Sequence, residues 1–106
     1  MDLKSINDAE TDQRRIAARA RRAKAILESD IVQKAFKEIE DQLVGVLRES
    51  DLDQVTERED AYRCIRLLKR FKDGFEKHLR DGTMAEHRIA DLKAQRKTLM
   101  QRMRLA

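Results

Sequence analysis

The stretch IVQKAFKEIEDQLVGVLRE, residues 31–49, decides the fold class of this chain. Val32, Phe36, Ile39, Leu43 and Val46 step by 4, 3, 4 and 3 residues, which sets them on one stripe of a helix with about 3.6 residues per turn. Ala35 and Leu47 widen that stripe enough to pack a bundle core. Just upstream, Ser29 or Asp30 reads as an N-cap, because a short oxygen-bearing side chain accepts from the free N–H groups of the first turn. Asp30 with Gln33 approximates a capping box, so the helix is expected to start near Ile31.

Downstream, Ser50-Asp51-Leu52-Asp53-Gln54-Val55 breaks the period, and Thr56 with Glu59 has the T-x-x-E form of a new helix start near Glu57. The stripe of Ala61, Ile65, Leu68, Phe71, Phe75 and Leu79 runs on to Asp81-Gly82, where glycine suits the left-handed residue that ends many helices. Gly74 lies inside this stretch at a cost of about 1 kcal/mol relative to Ala. A short link between two helices favours antiparallel neighbours. The sequence therefore predicts a helical hairpin over about 31–49 and 57–81. Its packing core is Val32, Phe36, Ile39 and Leu43 against Ile65, Leu68, Phe71 and Phe75.

Flanking helices are expected on both sides. The first runs from about Asp8 to Glu28 on Ile16, Ala20, Ala23 and Leu27. The last follows a second T-x-x-E box, Thr83 with Glu86, and carries Ala85, Ile89, Leu92, Leu99 and Met103. Gln95 and Arg96 interrupt its seam, leaving it exposed, weakly packed or completed by a partner. The expected architecture is all-α, one helical domain over 1–106, as a bundle or a partly extended coiled coil. Residues 1–12 form an acidic segment free to be flexible, and 84–106 a basic helix free to project.

Composition points the same way. Proline is absent, glycine occurs three times, and 42% of residues are charged. Val, Ile, Leu and Phe number 25 of 106, above the share of about 20% below which a charged chain stays disordered. Four aromatics and no Trp argue against an aromatic-rich β architecture. No apolar run exceeds three residues, far short of a membrane span, so a soluble, intracellular protein with no membrane partner is expected. The lone Cys64 has no disulfide partner in the chain and reads as a small core residue.

The net charge of +4 hides a blocked distribution. Residues 1–12 carry a net −3, and residues 13–24 carry six bases and no acid: Arg14, Arg15, Arg19, Arg21, Arg22 and Lys24. The middle, 25–92, has a net −4, and 93–106 carries Lys93, Arg96, Lys97, Arg102 and Arg104 with no acid. An acidic centre flanked by basic helices suits attachment to a polyanion or an acidic protein surface, and arginine's planar fork matches phosphate and carboxylate. The plain alternative is a solvated face that keeps the helices soluble.

Motifs of catalysis are missing. Asp51-x-Asp53 lacks the glycine and glutamate of a calcium loop, since Thr56 and Tyr62 stand at those positions, and it reads as a solvated turn. Glycine-rich phosphate loops, HExxH and GxSxG do not occur, and His78 and His87 read as surface residues. The expectation is a protein that is not an enzyme, with no cofactor and no metal. Long helices and the lack of stacking aromatics leave backbone contact as the mode for any nucleic acid.

One resemblance adds context. The segment RRAKAILESDIVQKAFKEIEDQLVGVLRESDLDQVTEREDAYRCIRLLKRFKDGFEKHLRDGTMA, residues 21–85, resembles a group of short, poorly characterised helical proteins that tailed bacteriophages encode among virion-assembly genes. The shared elements are Ala23-Lys24-x-Ile26-Leu27-Glu28, Ala35-Phe36, the Asp53 turn with Glu57-Arg58, Leu67-Leu68, Phe71-Lys72 and the ending Gly82-x-Met84-Ala85. They cover about 60% of the chain and are mostly packing and capping positions. Where those proteins often carry tryptophan, this chain has Leu47 and Tyr62, and it continues past the glycine into a basic helix that resembles the basic C-terminal segments of phage scaffolding proteins. The resemblance implies a structural or assembly protein of the virion or the host cytoplasm, with a phage capsid, portal or scaffold protein as the partner its basic terminal helices would bind. The small-residue and heptad stripes, on helices that lack enough partners within the chain, add the expectation of a homo-oligomer. The alternatives are a nucleic-acid-binding packaging or regulatory protein with DNA as its partner, and a small inhibitor of a host protein.

Overall fold

The computed structural model of the chain describes residues 2–105 and contains three helices, α1 (Leu3–Glu28), α2 (Asp30–Glu49) and α3 (Val55–Leu105), with no strand among the described residues. Met1 and Ala106, the outer ends of the expected acidic segment and basic helix, lie outside the described residues. The fold is all-α.

Each helix end has a local cause. Asp2 caps α1, its carboxylate accepting the Ser5 backbone N–H at 2.7 Å, which holds the Asp2 carboxyl below its usual range. The acidic residues 3–12, for which the sequence allowed flexibility, are helical. At Ser29 the backbone turns extended (φ −65°, ψ 126°) and separates α1 from α2. The expected capping box is not made: the Ser29 hydroxyl forms no cap bond, and the Gln33 side-chain amide donates instead to the Leu27 carbonyl at 3.0 Å. After α2, the Gln54 side-chain oxygen accepts the Asp51 N–H at 2.7 Å, and the Arg58 guanidinium donates to the Asp51 and Leu52 carbonyls. Gln54 and Arg58 thus tie the turn, and α3 begins at Val55, ahead of the expected Thr56–Glu59 start.

The largest correction concerns Gly82. No helix ends there and no separate C-terminal helix exists, because α3 runs unbroken through Asp81, Gly82 and Thr83 for 51 residues. Gly82 does not adopt a positive φ, and the Thr83 hydroxyl donates to the Leu79 carbonyl at 3.2 Å instead of capping a new helix. Gly82 is glycine for another reason. A Cβ at this position would run into the methyl group of Ala20, so the residue lets α1 and α3 approach closely.

The chain divides into two compact units, Met1–Ala23 with Lys77–Ala106 (unit 1) and Lys24–Glu76 (unit 2). In unit 1, the inner stripe of α1 is Ile6, Glu10, Gln13, Ala17 and Ala20, and that of α3 is Gly82, Ala85, Ile89, Leu92 and Arg96. Ala20 lies against Gly82, while Glu10 pairs with Arg96, so the two helices run in opposite directions along this seam. Ala17, Ala85 and Ile89 form its buried cluster, with Ile16 packed on the edge.

Unit 2 is built differently. Phe36 of α2 meets Phe71 of α3 at 5.9 Å between ring centroids, Phe71 meets Phe75 at 5.1 Å, and Lys72 reaches Glu40 at 3.8 Å with its ammonium 5.1 Å from the Phe36 ring centroid. The expected core is not closed here. Val32, Phe36, Leu43, Ile65, Leu68 and Phe75 are only half-buried, and Ile39 and Phe71 are exposed. Ala61 is the sole buried residue of unit 2, and α2 has none. The seam of α3 runs through Ala61, Ile65, Leu68, Lys72 and Phe75, so Lys72 takes the place expected of Phe71. Cys64, expected in a core, is exposed.

Helical spacing sorts the rest of unit 2 onto two flanks of that seam. One flank is charged, with Lys37, Glu40 and Arg48 on α2 and Arg58, Lys69 and Glu76 on α3. On the other, α2 presents Ala35, Ile39, Gln42 and Val46, and α3 presents Cys64, Leu67, Phe71 and Gly74. Charged residues border that second flank as well, with Asp60, Arg63 and Arg70 beside Cys64, Leu67 and Gly74 and Glu38 between Ala35 and Gln42.

Candidate functional site

Charge separates the units as sharply as packing does. Unit 1 carries 14 bases against 7 acids, a net +7, and unit 2 carries 10 against 13, a net −3. The eleven cations expected to bind a polyanion fall into distinct roles. Arg14 pairs with Glu10 at 2.7 Å, Arg15 with Asp12 at 3.8 Å, Arg21 with Glu86 at 3.4 Å, and Arg96 with Glu10. Lys24 belongs to unit 2 and sits 3.9 Å from Glu28. Arg19, Arg22, Lys93, Lys97, Arg102 and Arg104 are exposed and make no ion pair among the described residues.

The Glu10 group is structural. Its side chain is 7% exposed and accepts from Arg14 one turn along α1 and from Arg96 across the seam on α3. The Arg14 hydrogen bond first, and then that of Arg96, hold the Glu10 carboxyl below its usual range against the opposing effect of burial. Asn7 accepts a further Arg96 N–H at 3.2 Å. A buried carboxylate needs such partners, and two guanidinium groups supply them. Arg96, which in the sequence only interrupts an apolar stripe, is therefore a seam residue. The signal for this lay in α1, where Ile6, Glu10, Gln13, Ala17 and Ala20 keep the helical step of 4, 3, 4 and 3 with two polar members. Gln13 places its Oε1 in the same seam with no partner among the described residues.

Three of the unpaired cations, Lys93, Lys97 and Arg104, line one flank of unit 1. Helical spacing sets Arg14 and Arg21 on the side of α1 that meets Glu86, and Lys93, Lys97 and Arg104 continue the same side of α3. Arg15 and Arg22 stand at the back of α1, while Arg19 and Arg102 lean to the opposite flank. An open groove of about 470 Å³ lies between Arg14, Arg21, Ala18 and Glu86. Another of about 340 Å³ follows α3 past Lys93, Arg96, Lys97, Met100 and Arg104. From Glu86 to Arg104 this row is about 27 Å long at about 1.5 Å per residue.

The row can hold anionic groups by charge and by guanidinium hydrogen bonds. Its acids are consumed in ion pairs, and it contains no nucleophile aligned with a base. Among the described residues no group of three His, Cys, Asp or Glu converges on a metal position. No described helix is long and apolar enough to cross a membrane. No family model matches the chain, and no curated protein and no solved structure matches it either.

Proposed function

We propose that the chain is a non-enzymatic assembly protein that docks on an acidic protein surface through the basic flank of unit 1. The observation that carries this reading is the row of Lys93, Lys97 and Arg104, exposed, aligned with Arg14 and Arg21, and free of intramolecular ion pairs among the described residues. In the same reading the partner is a capsid, portal or scaffold protein of a tailed phage, met in the virion or the host cytoplasm. The resemblance of residues 21–85 to short helical proteins that tailed phages often encode among virion-assembly genes supports that setting. Unit 2 acts as an antiparallel hairpin, which its short link favours, and the working form is a homo-oligomer.

The test is the triple variant Lys93→Glu, Lys97→Glu, Arg104→Glu, with Arg96 kept because it holds Glu10. Binding to polyglutamate is measured by anisotropy and helicity by circular dichroism. The expected result is loss of binding with helicity unchanged. Equal binding by the variant and the parent chain overturns the reading. Tighter binding to a 20-base-pair duplex than to polyglutamate, falling with salt at a log–log slope near −0.9 per phosphate neutralised, replaces it with a nucleic-acid-binding protein.

A further inference from the structure

The basic flank of unit 1 carries more than charge. Lys93, Lys97, Met100 and Arg104 step by 4, 3 and 4 residues along α3, so Met100, 41% exposed, stands inside the row of cations. On α1 the half-buried Ala18 lies between Arg14 and Arg21 and lines the larger groove. Among the described residues that line the two grooves, Glu86 is the one acid, and Arg21 holds it at 3.4 Å. We infer that this flank takes an acidic amphipathic α-helix of a partner protein, laid along α3, with carboxylates on Lys93, Lys97 and Arg104 and an apolar side chain on Met100. The inference rests on the proposed docking to an acidic protein surface and says what form that surface takes.

Three observations select a helix. The first is spacing. At about 1.5 Å per residue, Lys97 and Arg104 lie about 6 Å and about 16.5 Å along α3 from Lys93. A partner helix repeats those intervals with acids four and eleven residues apart on one face. In an extended chain, residues on one side recur about every 6.6 Å, so they fall at about 13 and about 20 Å and miss the third cation. The second is the backbone. The described residues form no strand, so an extended peptide finds no sheet edge for its N–H and C=O groups, whereas a helix bonds its own. The third is Met100, whose flexible thioether packs on an apolar side chain and gains nothing from phosphates. A nucleic acid therefore suits this row less well than a protein helix does.

Fluorescence anisotropy on the full chain at neutral pH tests this with two labelled peptides, both alanine-rich, locked helical by a side-chain staple and about 18 residues long to match the row. One carries glutamates at i, i+4, i+7 and i+11 with a leucine beside them, a stripe that meets the cations in either orientation. The other has the same composition with its glutamates spread around the helix. The ordered stripe should bind about tenfold more tightly than the scattered one. Met100→Gln should keep its helicity by circular dichroism and bind the ordered peptide about fivefold more weakly. Its binding of polyglutamate, a coil at this pH, should match that of the parent chain. Equal binding of the two peptides, or a Met100→Gln variant that loses nothing with the ordered one, overturns the inference. Polyglutamate binding alongside equal peptide binding breaks the helix inference alone, and a chain that binds none of the three breaks the docking reading with it.

Discussion

Unit 1 and unit 2 each pack a different helix against the same long α3, and they solve the task with opposite materials. Unit 1 uses small residues, Ala17, Ala20, Gly82 and Ala85, and closes a buried seam around Ile89. Unit 2 uses large ones, Phe36, Leu43, Leu68, Phe71 and Phe75, and buries none of them fully. Small side chains let two backbones approach until little surface is left open. Bulky side chains hold the helices apart, and two helices alone cannot surround them. Burial in this molecule follows close approach more than hydrophobic volume.

Truncation of a seam residue should separate the units most. Ile89→Ala removes a side chain buried to 6% exposure and should destabilise unit 1 by about 3 kcal/mol, read by urea denaturation. Phe71→Ala, at a position 59% exposed, should cost well under half as much in a monomer. Equal losses would erase the distinction drawn between the units.

Gly82→Ala comes next. The added methyl group meets Ala20, and overpacking of this kind costs about 1–3 kcal/mol, partly offset by a helix-propensity gain of about 1 kcal/mol. A net loss is expected. Gly45→Ala meets nothing and should stabilise α2 by up to about 1 kcal/mol. Opposite signs at the two glycines, measured by thermal melts, would sharpen the contrast between a closed and an open unit.

Acid should act on unit 1 through Glu10. Its carboxyl is held below the ordinary value of 4.5 in the folded chain, so its contribution is complete above that value. The contribution drains away as pH falls through the lowered folded value, because the unfolded chain then takes up the proton more readily. Glu10→Gln should flatten that part of the pH profile of stability. A profile unchanged by the substitution would show that the Arg14 and Arg96 contacts contribute nothing there.

Much of the fold was legible in the residues. The apolar period around Phe36 identified α2, the Asp51–Asp53 turn separated it from α3, and the absence of proline with few glycines announced long helices. The cation blocks at 13–24 and 93–104 were legible too, as charge. Their sorting was not, since Arg96 and Lys97 are neighbours in sequence and have different roles, one in the seam and one in solvent. The break expected at Gly82 is absent because glycine has two uses in a helix, ending it with a positive φ or thinning it for a neighbour. Only the presence of Ala20 opposite decides between them. Phe71 and Lys72 were exchanged for a similar reason. Residues one step apart point about 100° from each other, and a lysine stem packs on a seam as an aliphatic chain with its ammonium leaning over Phe36.

By itself the sequence determined the helices, the turn at Asp51–Asp53 and the separation of charge, because hydrogen bonding within a helix, turn chemistry and formal charge are properties of neighbours along the chain. Tertiary structure alone decided that Gly82 is a contact and not a terminus, that Glu10 and Arg96 belong to one seam, and that the most apolar residues are left half open. Those outcomes depend on which helix lies opposite and how near it comes, and the distances that settle them join residues more than 60 positions apart in the chain.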